Sequence, residues 1–373
     1  MFDNLPAVPY FFCGADMGCC ETRWVEGADI PPSGVRPEID PGAEVSRRDV
    51  LKGVTALAAA LAVGGSGAAE MKRIKLAFCS QILCVIPYEV TRASGFFRDE
   101  GLEVELVYAR GGNAAMQALV GGAVDYAGTS FDVALQAFAH GADIRRFAST
   151  GQLPLFALAT APKRAADLVD LKRLEGSTVG VSGLGNADHA LVLYLLKKTG
   201  ADPAKVQFAT LGPNISEALR LGQIDAGMVQ EPALSRAVKS GSRVLVNFME
   251  LADAQKYLGG PYEFMGVAVR ASEREARKPE MAALARALAR GLQRVQSAPA
   301  RELIDALPRA LTAGADVDEL VAIVDRYRRS LYPSQVAIDV AASDRVAESL
   351  KIAGLVKTDV KTESLLDLSV VAR

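Results

Sequence analysis

Two stretches one hundred residues apart carry the polar residues most suited to recognition, and they read alike: Asn113-AAMQALVGGAVDYAG-Thr129 and Asn214-ISEALRLGQIDAG-Met228. The first runs into Thr129-Ser130-Phe131-Asp132 and the second into Gln230-Glu231-Pro232. Hydroxyls, an amide and a carboxylate in such loops offer donors and acceptors for holding a small molecule. A third group, Ser182-Gly183-Leu184-Gly185-Asn186, precedes an apolar stretch with helical spacing. Free N–H groups and the helix dipole at such a start favour an anionic or carbonyl oxygen, although Ser and Asn are also ordinary caps. No cysteine and histidine set has zinc spacing, so the sequence predicts no metal site and no cofactor.

The elements that must position these groups follow from period and punctuation. In each repeated stretch an Asn able to cap precedes about two helical turns, Gly122 or Gly222 ends them, and a short strand marked Val124-Asp125 or Ile224-Asp225 follows. Asp125 and Asp225 read as turn and strand-start structure rather than ligand contacts. Strands are predicted over 72–78, 102–108, 144–150, 155–160, 178–181, 206–210, 243–246 and 262–270, and helices over 87–94 and 187–199. The first of these helices is expected to open at Pro87, because proline suits a first turn. From residue 272 onward the chain reads as supporting helices. Repeated helix-strand-loop units predict two similar α/β lobes whose loops face each other across a cleft.

Composition bounds the class. Half of the 373 residues are hydrophobic, enough for two cores, while 6% aromatics and a net charge of -2 give no footprint for nucleic acid. Residues 1–45 hold eight acids against Arg23 and Arg36, include Cys13, Cys19 and Cys20, and have no periodicity. They read as a disordered leader or a mis-assigned start. Ser46-Arg47-Arg48-Asp49-Val50-Leu51-Lys52, a ten-residue apolar run and small residues up to Ala69 resemble a twin-arginine export signal, with Val50 where Phe or Leu is usual. The expected location is the periplasm. Cys79 and Cys84 can bridge, stay free or simply pack.

Taken in order, Gly95-Phe96-Phe97 with Glu100-Gly101-Leu102, the two Gly-x-Val/Ile-Asp units, and Gly176-Ser177-Thr178-Val179-Gly180-Val181 resemble one family. They look like the periplasmic substrate-binding proteins of ABC transporters for nitrate, sulfonates and taurine, a cluster that includes binders of thiamine-precursor pyrimidines. An alanine usual at position 91 or 92 is missing. The resemblance implies a type II two-lobed periplasmic-binding-protein fold with two crossover strands and C-terminal helices, lobe one being 70–158 plus 264–373 and lobe two 159–263. It also implies a monomer that closes on its ligand by a hinge and docks on a permease with a cytoplasmic ATPase.

Ligands of open α/β sheets sit beyond the carboxyl ends of strands. That rule gives the candidates Ser80, Gln81, Asn113, Thr129, Ser130, Ser182, Gly183, Asn186, Gln230 and Glu231, with His189 as a donor on the first turn after Asn186. Tyr88, Phe131 and Tyr262 either stack on a ring or fill cores. Glu231, fixed by Pro232, is the sharpest candidate. Arg110 is the one base in these loops, whereas Asp132, Asp188, Glu231 and Glu263 suit a ligand rich in N–H donors. The expectation is therefore an amine-bearing or heteroaromatic ligand such as a pyrimidine, with nitrate, taurine or a sulfonate as the alternative. An enzyme of thiamine-pyrimidine synthesis is a further alternative, but no lysine stands in these strand-end loops to hold pyridoxal phosphate, and the Cys-rich motif of that enzyme is absent.

Overall fold

In a computed structural model the described residues are 71–356 and 360–371. The proposed leader and export signal lie outside them. Two five-stranded sheets form the frame. The first runs β2 (Leu102–Ala109), β1 (Lys72–Cys79), β3 (Tyr126–Ser130), β10 (Met265–Arg270), β4 (Ile144–Ser149), and the second β7 (Gln207–Thr210), β6 (Thr178–Val181), β8 (Ala226–Val229), β5 (Ala157–Thr160), β9 (Val244–Asn247). In each, the first three strands are parallel and the fourth place belongs to an antiparallel strand. That strand is exchanged: β5 arrives from lobe one to complete the second sheet, and β10 returns to complete the first. This is the type II two-lobed periplasmic-binding-protein fold, with its two crossings where the alternating segments near 157 and 265 place them.

Helices cover the sheets. Among them are α1 (Ile82–Ala93), α2 (Gly112–Val120), α3 (Phe131–Ala139), α4 (Ala187–Thr199), α5 (Ile215–Arg220), α6 (Ala233–Lys239), α7 (Lys278–Ser297), α8 (Val317–Leu331) and α9 (Val340–Ala353). The helix predicted to open at Pro87 instead starts at Ile82, with Pro87 inside it. Proline removes the N–H that would bond the carbonyl four residues back, here Leu83. The hydroxyl of Tyr332 donates to that carbonyl at 2.8 Å, so the missing bond is replaced from a distant element.

The two repeated units also differ from expectation in detail. Neither Asn113 nor Asn214 caps its helix with its side chain; α2 begins after Gly111, and Asn214 closes a turn of 3-10 helix. Gly122 and Gly222 do take the left-handed backbone, with φ of 77° and 65°.

The C-terminal helices brace both lobes. α7 packs on α1, and α9 packs on α4, where Lys197 donates to the carbonyl of Ala353 at 3.1 Å. From α8, the Tyr327 hydroxyl accepts from the Asn247 amide at 3.1 Å and Ser330 donates to the carbonyl of Met249 at 2.7 Å.

Candidate functional site

Because the parallel strands of both sheets end at the same side, their following loops meet around a cavity of about 240 Å³. Lobe one contributes Cys79, Gln81, Arg110, Gly112, Thr129 and Ser130; lobe two contributes Ser182, Asn186, Asp188, Met228, Gln230 and Glu231. Phe156 on the outgoing crossing and Phe264 on the return form part of the wall and meet edge to face, 6.0 Å apart. The volume lies below the ~300–1,000 Å³ usual for drug-sized ligands, so the occupant is small.

Across one side of the mouth the lobes are already hydrogen-bonded. The Asn113 N–H donates to Asn186 Oδ1 at 3.3 Å, Asn113 Nδ2 to the carbonyl of Leu184 at 3.4 Å, and Gln136 Nε2 to the carbonyl of Gly185 at 3.0 Å. Asn113 is thus an interlobe contact.

Three helices of eight or more residues, α1, α2 and α4, begin at the cavity after Gln81, Gly111 and Asn186, and none has a side-chain cap. Their dipoles favour negative charge at the wall, although the Asn113 N–H of α2 is already taken by Asn186 Oδ1 and N–H groups at the start of α4 by Asp188. Arg110 and Arg236 stand at the rim, exposed, and neither guanidinium makes an ion pair or hydrogen bond among the described residues. Position 236 lies on a helix rather than in a strand-end loop, so the loop rule passes over it.

The acids are differently placed from the expectation. Glu231, joined to Pro232 by a cis peptide and 3% exposed, accepts from Ser235 N and Oγ, both at 3.0 Å, and so caps α6. Asp188 accepts from Ser182 N at 2.5 Å and Oγ at 2.8 Å; burial still lifts its pKa to about 6 against those bonds. Asp132 and Glu263 lie behind the wall, and burial raises both, Asp132 to about 7. The Tyr262 hydroxyl donates to Asp132 at 2.7 Å, and Glu263 sits 3.4 Å from Arg146. All four carboxylates are engaged with the protein itself, which removes the argument for an amine-rich ligand that rested on them.

Arg146 is fully buried, and burial lowers its pKa. It donates to the carbonyls of Thr129 at 2.7 Å and Phe264 at 2.6 Å and lies 5.4 Å over the ring of Phe131. It therefore ties β3, β4 and the return crossing together just behind the cavity.

The three candidate aromatics all serve cores. Tyr88 is buried, stacks on Phe78 and bonds Thr150; Phe131 lies under Arg146; Tyr262 turns to Asp132. Ser80 is exposed and its side chain is not in the wall. His189 accepts from the Gly185 N–H at 3.2 Å and meets Phe208 edge-on, with burial lowering its pKa. Gly183 leaves room for the Asn186 amide, which donates to Ser182 Oγ at 3.0 Å. Ser130 lines the cavity while capping α3. Cys79 and Cys84 form a disulfide whose residues line the mouth on either side of Gln81.

Among the described residues no cluster of three or more His, Cys, Asp or Glu is placed to hold a metal ion, and no helix is long and apolar enough to cross a membrane.

The family model described as NMT1/THI5 like matches residues 84–302, and the chain belongs to that family. A solved protein from Bordetella bronchiseptica RB50 is 25% identical, with a TM-score of 0.72 over 81% of this chain and 96% of its own. The alkanesulfonate-binding protein from Xanthomonas axonopodis pv. citri bound to MOPS is 20% identical, with a TM-score of 0.63 over 81% of this chain and 100% of its own. YtlA of Bacillus subtilis (strain 168) is 24% identical over 271 residues, 69% of this chain and 76% of its own length.

Proposed function

We propose that the chain is the solute-binding component of an ABC importer, exported by the twin-arginine signal to the periplasm and acting there as a monomer. It captures a small organic anion, a sulfonate or carboxylate with an apolar or planar body, by closing two lobes on it. The observation that carries this reading is the cavity itself: its wall is shared between the lobes, three helices begin at it, and among the described residues its unpaired side-chain charges are Arg110 and Arg236. Ligand contacts to both lobes exist only in the closed form, so binding shifts the population toward it, and that form docks on the permease. The reading assigns no catalytic residue.

A second reading is a neutral heteroaromatic such as a pyrimidine. Phe156 and Phe264 favour it, because an edge-to-face pair offers a ring a place to stack, and Gln230 offers an amide to its polar edge. Thermal-shift titration of the purified protein against taurine, ethanesulfonate, benzoate, nitrate and aminopyrimidines separates the two. Stabilisation by the organic acids supports the first reading, and stabilisation by the pyrimidines alone replaces it with the second.

A further inference from the structure

A cavity wall built for its ligand leaves polar atoms unsatisfied until that ligand arrives, because burying a donor or acceptor without a partner is otherwise costly. Among the described residues, two that line the cavity carry a buried side-chain atom with no hydrogen-bond partner: Thr129 Oγ1 and Gln230 Oε1. One belongs to each lobe. Thr129 lies near the end of β3, and Gln230 directly follows β8, the corresponding strand of the other sheet.

Both are mounted rigidly. The buried Arg146 holds the carbonyl of Thr129, and the carbonyl of Gln230 accepts from Leu234 N at 3.0 Å in the turn that opens α6. Gly112 keeps open the space beside Thr129: a Cβ there would come within 2.6 Å of Oγ1. A side chain at position 112 would displace the hydroxyl.

We infer that Thr129 and Gln230 are the pair that reads the ligand across the cleft, and that the ligand carries an N–H or O–H donor besides its acidic group. The acid sits toward Arg110 and Arg236 and the donor toward Gln230 Oε1, with the Thr129 hydroxyl donating or accepting on the opposite lobe. The class is an amino-, hydroxy- or ring N–H-bearing small organic acid. This assignment rests on the anion reading above for the acidic group, whereas the role of the pair stands on the unsatisfied atoms alone.

The experiment uses the full chain and the variants Thr129→Val and Gln230→Met, which keep side-chain volume while removing the polar atom. In ligand-free protein, deleting an unpartnered buried polar atom leaves the melting temperature unchanged or raises it. A clear fall in either variant would reveal a structural partner and overturn the inference, whatever the ligands do. Binding is then measured with probes that differ by a donor: taurine against ethanesulfonate, and 4-hydroxybenzoate against benzoate. For wild type the donor-bearing member of a bound pair is expected to bind about tenfold tighter or more, the size of one buried hydrogen bond, and Gln230→Met is expected to lose that preference. Equal binding of both members by wild type, or an unchanged preference in Gln230→Met, overturns the inference. Failure of all four to bind counts against the anion reading instead, and the ligand-free melting temperatures then decide the role of the pair.

Discussion

Asp125 and Asp225, one hundred residues apart, do the same work in the two lobes. Asp125 Oδ2 accepts from the Lys75 N–H of β1 at 2.7 Å, and Asp225 Oδ2 accepts from the Thr178 N–H of β6 at 2.9 Å. Each second oxygen meets an arginine, Arg277 at 2.6 Å and Arg164 at 3.1 Å. Each aspartate thus pins the start of its own strand to the neighbouring one. Replacing either by Ala is expected to cost about 1.5–3 kcal/mol, the range for a hydrogen bond to a charged group. The two losses should add, because the sites share no partner. Denaturant unfolding of the single and double variants measures both; a cost confined to one lobe would show that the repeat is not functionally symmetric.

Arg110 and Arg236 stand at the rim from opposite lobes, without partners among the described residues. Arg110→Gln and Arg236→Gln should each weaken binding of an organic anion by about 0.5–1 kcal/mol, because exposed charges act through solvent. The loss should shrink as salt rises. Calorimetric titration at low and high ionic strength checks this, and binding that ignores both substitutions would place the acid elsewhere.

Stability should fall as pH rises from about 4 to 7. Burial holds the Asp132 carboxyl near 7, above its unfolded value of 3.8, so in that window the folded state binds more protons than the unfolded state. Its contribution is therefore fully present below pH 4 and lost as pH passes 7. Glu263, raised by the same burial, acts in the same direction, so Asp132→Asn should flatten the profile only in part. Melting temperatures across this range, with and without the substitution, give the measurement. A profile that rises with pH in both proteins would contradict the sign.

Tyr332→Phe should cost about 1–3 kcal/mol, because it strands the buried carbonyl of Leu83. The cost should shrink in a Pro87→Ala background, where the restored N–H can reach that carbonyl within the helix. A double-mutant cycle tests the coupling, and strictly additive losses would mean that the tyrosine does not compensate the proline.

Much of the frame was legible in the chain itself. Alternation, glycine stops and the paired Val/Ile-Asp units identify the strands, because a strand or helix must bury one face and so writes its period locally. The two crossings follow from the same signal, as does the structural reading of Asp125 and Asp225. The polar half of the cavity was legible too, since Gln81, Thr129, Ser130, Ser182, Asn186, Gln230 and Glu231 all stand at or just past strand ends and all line it.

What only the tertiary structure decided is where each of those side chains turns and what already occupies it. Tyr88 and Tyr262 turn inward because Thr150 and Asp132 await their hydroxyls, 62 and 130 residues away in sequence. Glu231 is held by Ser235, a neighbour that any loop carboxylate has in sequence but only this loop geometry brings into reach. Pro87 sits inside a helix because Tyr332, 249 residues beyond Leu83, satisfies the Leu83 carbonyl that the proline orphans. Phe156, Phe264 and Arg236 enter the wall from two crossings and a helix flank, positions set by how the lobes pack. Sequence period records which face of an element is buried, but hydrogen-bond partners and cavity walls are made between elements far apart in the chain, and only the fold brings those together.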